Sequence, residues 1–562
     1  MALLQGLTGV VIPFVVLLSV LIFVHELGHF LVAKACGVRV LKFCLGFGPP
    51  VRIGPLRLAW KRGHTEYAIA WFPLGGFVKM LGENPDEQDD PETRANPSEA
   101  LGSKPLWQKL AIVFAGPAMN LLLPVVVFVG TLAVGMPRPA AVIGDVEAGS
   151  PAARAGIEPG DRIVAIDGQP VAWWGDVEDE IRSHPGRELS LSIERGGAER
   201  AVSVAVEPRS GIDEFGGTEK LGWSGLGHRR PRAMLGVADA DSPAHAAGLR
   251  SGDLVVAVAD RPVEDWRALA AAYAAAPAGG TLGFRVERGA DPAKQTLEIE
   301  VPALGSLDAL GVQPANVLVA TVQVGTPAER AGIRKDDLVL SVDGTPVTSF
   351  NAFAEVVRTS GGRSLEIVTA RDGEARRVTL QPELKTVEIG PGLEDTRYLV
   401  GVTAAPASLP GSFAIDRERN PLVSVPRAVG MTVSITGTFL RGLGKIVTGE
   451  VSRSQVAGPI GIASIAGSSW QQGWETYLST MVLISINLGI LNLLPIPILD
   501  GGQAVLFLAE GVKRAPLSLR TRLVFQQIGL TVLMLLMGMA FWNDISRHWS
   551  KVVDWLRSGT GL

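Results

Sequence analysis

Four blocks of apolar residues constrain the fold of this 562-residue chain more than any other feature. They cover about Thr8–Ala35, Leu110–Val134, Met481–Ala509 and Leu523–Phe541. Each block is long enough to cross about 30 Å of hydrocarbon as a helix. The sequence therefore predicts a polytopic α-helical membrane protein with four transmembrane helices and with both termini on one side.

Basic residues near these blocks predict the orientation, because short loops rich in Lys and Arg stay in the cytoplasm. The stretch from Lys34 to Arg62 and the link from Lys513 to Arg522 are both rich in such residues. We therefore expect the N-terminus, the region 137–454 and the C-terminal tail to face the periplasm of a bacterium. The net charge of -4 is small for this length and indicates no nucleic-acid partner.

The first block contains His25-Glu26-Leu27-Gly28-His29. Two histidines four residues apart project from one face of a helix, which is the spacing that zinc requires, and the glutamate between them can act as a base. An ionisable cluster inside a transmembrane segment is costly to bury and marks a functional site by default. The pattern predicts His25 and His29 as zinc ligands and Glu26 as the catalytic base of a hydrolase. A helix cap or a buried polar pair is the alternative interpretation.

A third ligand is predicted in the third block, where two prolines and two glycines interrupt the segment Asn492–Gly502. Irregular backbone at membrane depth is tolerated only where protein or a water-filled cavity satisfies it. Catalytic zinc takes three protein ligands and keeps a position for water. We therefore predict that Asp500 joins the two histidines in binding one zinc ion per chain. The alternative is that Asp500 only caps the helix that follows it.

The region between the second and third blocks contains one motif written three times, starting at Ser150, Ser242 and Thr326. Each copy reads as a strand, a short helix opened by Ser/Thr-Pro, a glycine stop, a second strand and a turn. These α+β units resemble PDZ domains, which receive a peptide as an added strand. Leu226-Gly227 and Leu310-Gly311, ahead of the second and third copies, are similar to the peptide-groove loop. The units either bind peptide ends or form a rigid collar that excludes bulky substrates. Whether the first unit is complete, incomplete or permuted stays open from the sequence.

Four features taken in chain order resemble the site-2 protease family of intramembrane zinc metalloproteases. They are His25-Glu26-x-x-His29, Gly116-Pro117-Ala118-Met119-Asn120, the PDZ-like insert and the segment Asn492–Gly502. The resemblance covers both membrane halves, and it departs from the enterobacterial pattern in having three PDZ-like units instead of two. It implies an inner-membrane enzyme whose active site lies toward the cytoplasmic side and whose PDZ-like units gate access.

The same resemblance implies substrates and substrate-binding residues. The expected substrates are single-span proteins such as the anti-sigma factor of an envelope stress response, already trimmed by an upstream site-1 protease, and signal-peptide remnants. The stretch from Phe43 to Met80 resembles the family's membrane-associated β element, whose exposed edge can hold substrate as a strand. His64 in this stretch is expected to be a solvated loop histidine. The substrate-binding or oxyanion candidates are Gly75, Gly76, Phe77, Asn120 and Asn492, of which the two asparagines could equally serve helix packing.

Two other classes of function remain open from sequence alone. One is a membrane-anchored PDZ adaptor with a structural metal, and the other is a zinc sensor or transporter, which would need more polar residues within the membrane. The predicted organisation is helix 1 (1–36), the loop with the β element (37–105), helix 2 (106–136), three PDZ-like units (137–222, 223–305 and 306–405), an amphipathic connector lying along the outer surface (406–478), helix 3 (479–510), a cytoplasmic loop (511–521), helix 4 (522–544) and a periplasmic tail (545–562).

Overall fold

The computed structural model describes residues 7–54, 56–83, 90–212, 218–277, 279–289, 294–347, 349–390, 393–449, 458–515 and 517–560. The chain divides into two compact parts. The membrane part comprises Met1–Met136, Glu388–Glu394 and Arg417–Leu562, and the inserted part comprises Pro137–Val387 and Asp395–Asp416. Each part is described by itself below.

Helices make up most of the membrane part. In its described residues, four helical segments have the length and apolar composition of membrane spans, at Thr8–Ala35, Leu106–Val134, Trp474–Leu493 and Leu519–Ile545. The prediction of four apolar spans is therefore confirmed by length and composition. The helices are α1 (Ile12–Ala35), α2 (Leu106–Val134), α3 (Pro421–Thr448), α4 (Pro459–Gln472), α5 (Trp474–Leu493), α6 (Asp500–Lys513) and α7 (Leu519–Thr560), with a short helix at Pro91–Ala95.

The third span differs from the predicted block Met481–Ala509. Helix α5 ends at Leu493, and α6 begins only at Asp500. Pro495 and Pro497 lie between them, and proline lacks a backbone N–H and disfavours helical backbone at the residue before it. The apolar block is therefore one span followed by a separate short helix, with Asp500 at the start of that helix.

Helix α3 belongs to the connector predicted to lie along the outer surface. In the structure Ile435 and Phe439 of α3 pack against a cluster that includes Leu121 of α2 and Ile486 of α5. Helix α3 thus packs alongside two spans, and apolar side chains on one of its faces make these contacts. The N-terminus of the next helix, α4, is bound by Asp544 of α7. The carboxylate of Asp544 accepts hydrogen bonds from the backbone N–H groups of Gly458 (3.0 Å), Ile460 (2.9 Å) and Gly461 (3.1 Å).

A small antiparallel sheet follows α1. Its strands are β1 (Val40–Pro50), β2 (Ala59–Arg62) and β3 (Thr65–Met80), with a two-residue ladder between Arg52–Ile53 and Leu56–Arg57. Strand β3 folds back on itself, so that Lys42 of β1 pairs with Glu66 in the first arm and with Lys79 in the second arm. Residues Tyr67 to Phe72 lie in the first arm. The second arm is paired to β1 along one side in the described residues.

The inserted part contains three units with the same strand order. Each has a four-stranded antiparallel sheet, a short helix that begins at the predicted Ser/Thr-Pro, and a longer helix. The sheets comprise Ala198–Ala205, Glu188–Arg195, Arg162–Ile166 and Gln169–Pro170; Arg261–Pro262, Leu254–Val258, Thr281–Arg288 and Gln295–Pro302; and Thr345–Pro346, Leu338–Val342, Leu365–Arg371 and Glu374–Leu380. The short helices are Pro151–Arg154, Pro243–Ala246 and Pro327–Arg330, and the longer ones are Trp174–Ser183, Trp266–Ala274 and Phe350–Thr359.

Each unit is closed by the glycine loop that follows it in the sequence. Leu226 pairs with Val146 of the first unit, and Val312 pairs with Val237 of the second. The loops at Leu226-Gly227 and Leu310-Gly311 were expected to open the second and third units, and the strand pairing assigns them to the first and second. A fixed offset along the chain cannot tell which neighbouring unit a strand joins. For the first unit, the pairing with Leu226 corresponds to the permuted alternative.

The loop glycines hold positions that no other residue can take without strain. Gly225, Gly311 and Gly401 have φ of +84°, +84° and +85°. An added Cβ would lie 2.1 to 2.5 Å from the Cβ of the Ser or Thr that opens the short helix of the same unit. Left-handed backbone and close packing both require glycine here. The third loop, Val400-Gly401-Val402, pairs through Val402 with Val322 and closes the third unit.

One ion pair with a buried carboxylate is repeated in all three units. In the second unit, Asp253 is 1% exposed and accepts two hydrogen bonds from Arg288, of 2.6 and 2.7 Å. Arg288 also donates to the carbonyl of Gly248 at 2.8 Å. The equivalent pairs are Arg195 with Asp161 and Arg371 with Asp337. The arginine thus joins the strand to the turn after the short helix in each unit.

We expect the substitution Arg288→Met to destabilise the second unit, because it leaves the buried carboxylate of Asp253 without its partner. Removing one partner of a buried charge costs about 3–5 kcal/mol, which corresponds to at least about a 100-fold rise in the equilibrium constant for local opening and in the exchange rate that follows it. Hydrogen exchange of the strand Thr281–Arg288 in the full-length protein measures this rate.

The matched control is Arg285→Met on the same strand. Arg285 pairs with Glu298 and Asp260, whose side chains are 63% and 88% exposed. Exposed pairs contribute about 0–1 kcal/mol, so this control should exchange nearly as the wild type. Equal exchange in the two variants would contradict a stabilising role for the Arg288 pair.

Candidate metal centre

Two imidazoles and one carboxylate converge between α1 and α6. His25 and His29 lie one turn apart on α1, and their Nε2 atoms are 3.2 Å apart. Asp500 is the first residue of α6, and its Oδ2 lies 3.1 Å from the Nε2 of His25 and 3.6 Å from the Nε2 of His29. The structure thus brings together the three residues that the sequence predicts as ligands.

Gly501 and Gly502 let the loop before Asp500 pack tightly against the start of α6, and this packing positions Asp500 beside the histidines. An added Cβ at Gly501 would lie 2.2 Å from the carbonyl oxygen of Leu494. At Gly502 it would lie 2.3 Å from the carbonyl oxygen of Ile496. Larger residues would push the loop away and move Asp500 with it.

Helix α2 supplies the other wall of the site. The Nδ1 of His29 is 2.8 Å from the carbonyl oxygen of Ile112, and the Nδ1 of His25 is 3.2 Å from the Nδ2 of Asn120. Gly116 lies between these two contacts on the same helix face, and an added Cβ there would be 2.3 Å from the Nε2 of His29. Sequence reasoning did not single out Gly116 or the Ile112 carbonyl as site features. The signal available for Gly116 was its place in the Gly116-to-Asn120 motif.

Close helix packing makes these contacts possible. An added Cβ at Gly28, between the histidines on α1, would lie 2.3 Å from the carbonyl oxygen of Ala115. Small residues at a helix interface allow two backbones to approach closely within a membrane. Gly28 and Gly116 therefore set the distance between α1 and α2 at the level of the histidines.

Glu26 lies beside the second arm of β3. Its side chain is half-buried, and an added Cβ at Gly76 would lie 3.1 Å from the Cγ of Glu26. Gly75 has φ of +131° and packs against Phe47, and Phe77 pairs with Cys44. The structure therefore brings one part of the predicted substrate-binding segment next to the predicted catalytic base.

The remaining predicted residues lie elsewhere. Asn492 is half-buried in the last turn of α5, and His64 is exposed in the turn between β2 and β3. Leu226 and Gly227 line a cavity in the inserted part. Leu310, in contrast, is 0% exposed and belongs to the core of the second unit. Its side chain is therefore not available to a peptide in a groove, because it is already fully packed in that core.

The donor set fits zinc. Among the described residues, His25, His29 and Asp500 form the one group of three or more potential metal-ligating side chains, with ligand atoms within 4.8 Å of one another. The Oδ2 atom of Asp500 is buried and has no hydrogen bond of acceptable geometry, although two Nε2 atoms lie near it. A shared cation would account for this close approach of three electron-pair donors. Two histidines and a carboxylate are ligands that zinc takes in catalytic sites.

Comparison with known proteins yields one family and several full-length relatives. The family model described as "Peptidase family M50" matches residues 13–536. The regulator of sigma-E protease RseP of Escherichia coli is 30% identical, over 95% of this chain and 98% of its own. Protease RseP of Yersinia pestis is 32% identical over the same shares. A protein of Neisseria meningitidis whose name describes a zinc metalloprotease is 30% identical, again over 95% and 98%.

Proposed function

The chain belongs to peptidase family M50 and is a zinc metalloprotease of the site-2 type, and from this premise we propose which bonds it hydrolyses. The substrates are single-span membrane proteins, cut within their transmembrane segments. They include an anti-sigma factor of an envelope stress response, already trimmed by an upstream site-1 protease, and signal-peptide remnants. The observation that carries this proposal is that His25, Glu26 and His29 lie in a helix of membrane-spanning length and composition.

The chemistry is divided among few side chains. His25, His29 and Asp500 would hold one zinc ion and leave one position free for water. When bound, zinc supplies a Lewis acid that activates this water and polarises the scissile carbonyl. Glu26 takes a proton from the water and delivers it to the leaving amine, as a general base and then a general acid. Glu26 is half-buried, and it does not belong to the group of ligand atoms that His25, His29 and Asp500 form.

Substrate presentation is proposed to use the second arm of β3. A peptide bond in a transmembrane helix is shielded by the helix's own hydrogen bonds, so the segment must be extended before it is cut. Strand addition at a sheet edge holds a peptide extended through backbone hydrogen bonds. Gly76 lies beside Glu26, and this supports the edge Gly75-Gly76-Phe77 as the place where substrate pairs. Membrane association of this sheet is part of the same proposal.

The PDZ-like units are proposed to gate access. A cavity of about 1270 Å³ lies between the first and third units. It is lined on one side by Trp174 and the loop Leu226-Gly227, and on the other by Phe350 and the loop Gly401-Val402. This volume exceeds the roughly 300–1000 Å³ of small-molecule pockets and suits a polypeptide segment. Both glycine loops line it, which supports selection of a trimmed chain end over a folded domain.

The proposed orientation follows the distribution of basic residues. The loop 37–105 and the link 511–521 are assigned to the cytoplasm, and the inserted part is assigned to the periplasm of a bacterial inner-membrane protein. The active site then lies toward the cytoplasmic side. The partners are the single-span substrate, the upstream protease acting on it and the lipid bilayer.

Cleavage of fluorescent single-span substrates in liposomes tests the function and the gating together. Two substrates share one transmembrane segment, and only one of them retains a folded outer domain. We expect the trimmed substrate to be cut within the segment and the untrimmed one to be cut much more slowly. Chelation with 1,10-phenanthroline should abolish cleavage, and added zinc should restore it.

Each part of the proposal has its own contradictory outcome. Cleavage that persists after zinc has been removed would contradict the mechanism. Equal cleavage of both substrates would contradict gating. Cleavage outside the transmembrane segment would contradict the proposed substrate class while leaving the zinc protease intact.

A further inference from the structure

We infer that Asn120 is a positioning residue for His25, holding the imidazole so that its Nε2 faces the zinc position. This inference rests on the proposed zinc site, and it assigns Asn120 to the metal ligand and not to substrate or oxyanion. Asn120 is 0% exposed, and its side chain lies 3.2 Å from the Nδ1 of His25. A fully buried amide that touches a ligand imidazole is well placed to orient it.

Helix α2 contacts the Nδ1 atom of both predicted ligand histidines. His29 Nδ1 meets the carbonyl oxygen of Ile112 at 2.8 Å, and His25 Nδ1 meets Asn120 eight residues later on the same helix. Eight residues are close to two helical turns, so these groups lie on one face, with Gly116 between them. One face of α2 thus receives both Nδ1 atoms, and both Nε2 atoms are left directed at Asp500.

The tautomer of each histidine follows from these partners. A backbone carbonyl only accepts, so the Nδ1 of neutral His29 carries its proton and donates it to Ile112, leaving the Nε2 lone pair free for metal. His25 needs the same tautomer if its Nε2 is to bind metal. An asparagine amide has an acceptor, Oδ1, and a donor, Nδ2, and a 180° rotation of the amide group exchanges their positions. In the structure the Nδ2 of Asn120 faces His25, and the Oδ1 of Asn120 is buried without a hydrogen bond. Rotating the amide group by 180° therefore brings the acceptor Oδ1 to the Nδ1–H of His25.

Asn120 is also held from the opposite side. Its backbone carbonyl accepts a 2.7 Å hydrogen bond from the hydroxyl of Ser485 on α5, and Ser485 is 0% exposed. The residue therefore joins α2 to α1 through its side chain and to α5 through its backbone. This fixed position is what a group needs to orient a ligand, and it restricts movement toward a substrate.

The test measures zinc affinity of the purified full-length protein by competition with a chromophoric chelator. Asn120→Leu has a similar volume and neither accepts nor donates, and we expect it to weaken zinc binding about 10- to 100-fold. Asn120→Asp keeps an acceptor for Nδ1–H and should hold zinc with affinity close to the wild type. The visible spectrum of the cobalt-substituted protein should be unchanged in Asn120→Asp, since the same three ligands remain.

Asn487→Leu is the matched control. Asn487 lies on α5, and its Oδ1 is also buried without a hydrogen bond. The Asn487→Leu variant should bind zinc with the affinity of the wild type. It therefore separates the loss of a partner for His25 from a general disturbance of the helix bundle.

Two results would overturn the inference. Unchanged zinc affinity in Asn120→Leu, together with slower cleavage, would assign Asn120 to substrate or oxyanion. Weakened zinc binding in Asn120→Asp would reject the acceptor role, and this holds even where Asn120→Leu does not fold. Failure of the proposed protease function has a different signature, because the wild type would then bind zinc without cutting any single-span substrate.

Discussion

Glu26→Gln should abolish proteolysis while zinc stays bound. Glutamine preserves the volume of the side chain but cannot take a proton from water at neutral pH. Loss of a general base costs about 10²- to 10⁴-fold in rate. The Nε2 atoms of His25 and His29 and the Oδ2 atom of Asp500 form the proposed ligand set without Glu26, so the zinc content should equal that of the wild type. Cleavage of the trimmed substrate and metal analysis of the same preparation measure both quantities.

Glu26→Asp sharpens this experiment. The shorter side chain keeps the carboxylate but withdraws it by one methylene from the water position, so we expect partial activity between the wild type and Glu26→Gln. Loss of zinc in Glu26→Gln would mean that Glu26 supports the metal site structurally. Full activity of Glu26→Gln with zinc bound would remove Glu26 from the mechanism.

Gly116→Ala should remove zinc and, with it, activity. The added methyl would lie 2.3 Å from the Nε2 of His29 and 2.8 Å from the Cε1 of His25, well inside van der Waals contact. Either the imidazoles turn away from Asp500 or α2 moves away from α1. Because the displaced atom is a predicted ligand, we expect a loss of affinity at least as large as the roughly 100-fold upper range for disturbed ligand partners. Chelator competition measures the change.

Gly130→Ala is the control within the same helix. An added Cβ at Gly130 has no neighbour within 4 Å, so no atom must move. Alanine in a helix is favoured over glycine by about 0.5–1 kcal/mol, and this variant should bind zinc and cleave as the wild type does. Normal zinc affinity in Gly116→Ala would show that the helices can separate locally and that the glycine does not limit the site.

Several features were predictable from the sequence because they depend on local pattern. Spans follow from runs of apolar residues, and the pairing of His25 with His29 follows from the helical period. Pro495 and Pro497 lie close together and are followed by two glycines, so the sequence already predicted an interruption before Asp500, although single prolines at 117 and 124 stay inside α2. The three units followed from a motif repeated along the chain.

Other features depended on which surfaces meet. Leu226-Gly227 could close the unit before it or open the unit after it, and only the pairing with Val146 decided between them. Leu310 looked like a groove residue by its place in the motif, yet it is fully buried in the second unit. Strand pairing and burial are properties of contacts between distant segments, and an offset in sequence does not contain them.

The sequence by itself predicted the residues that are proposed to carry out the chemistry, because the motif around Glu26 and the carboxylate of Asp500 are local features of the chain. Only the tertiary structure decided that α2 shapes the site, through the Ile112 carbonyl, Gly116 and Asn120. The physical reason is the membrane: α1 and α2 are apolar on nearly every face, so hydrophobic pattern cannot tell which face meets a neighbour. Close packing of small residues and buried hydrogen bonds makes that choice, and both exist only once the helices are assembled.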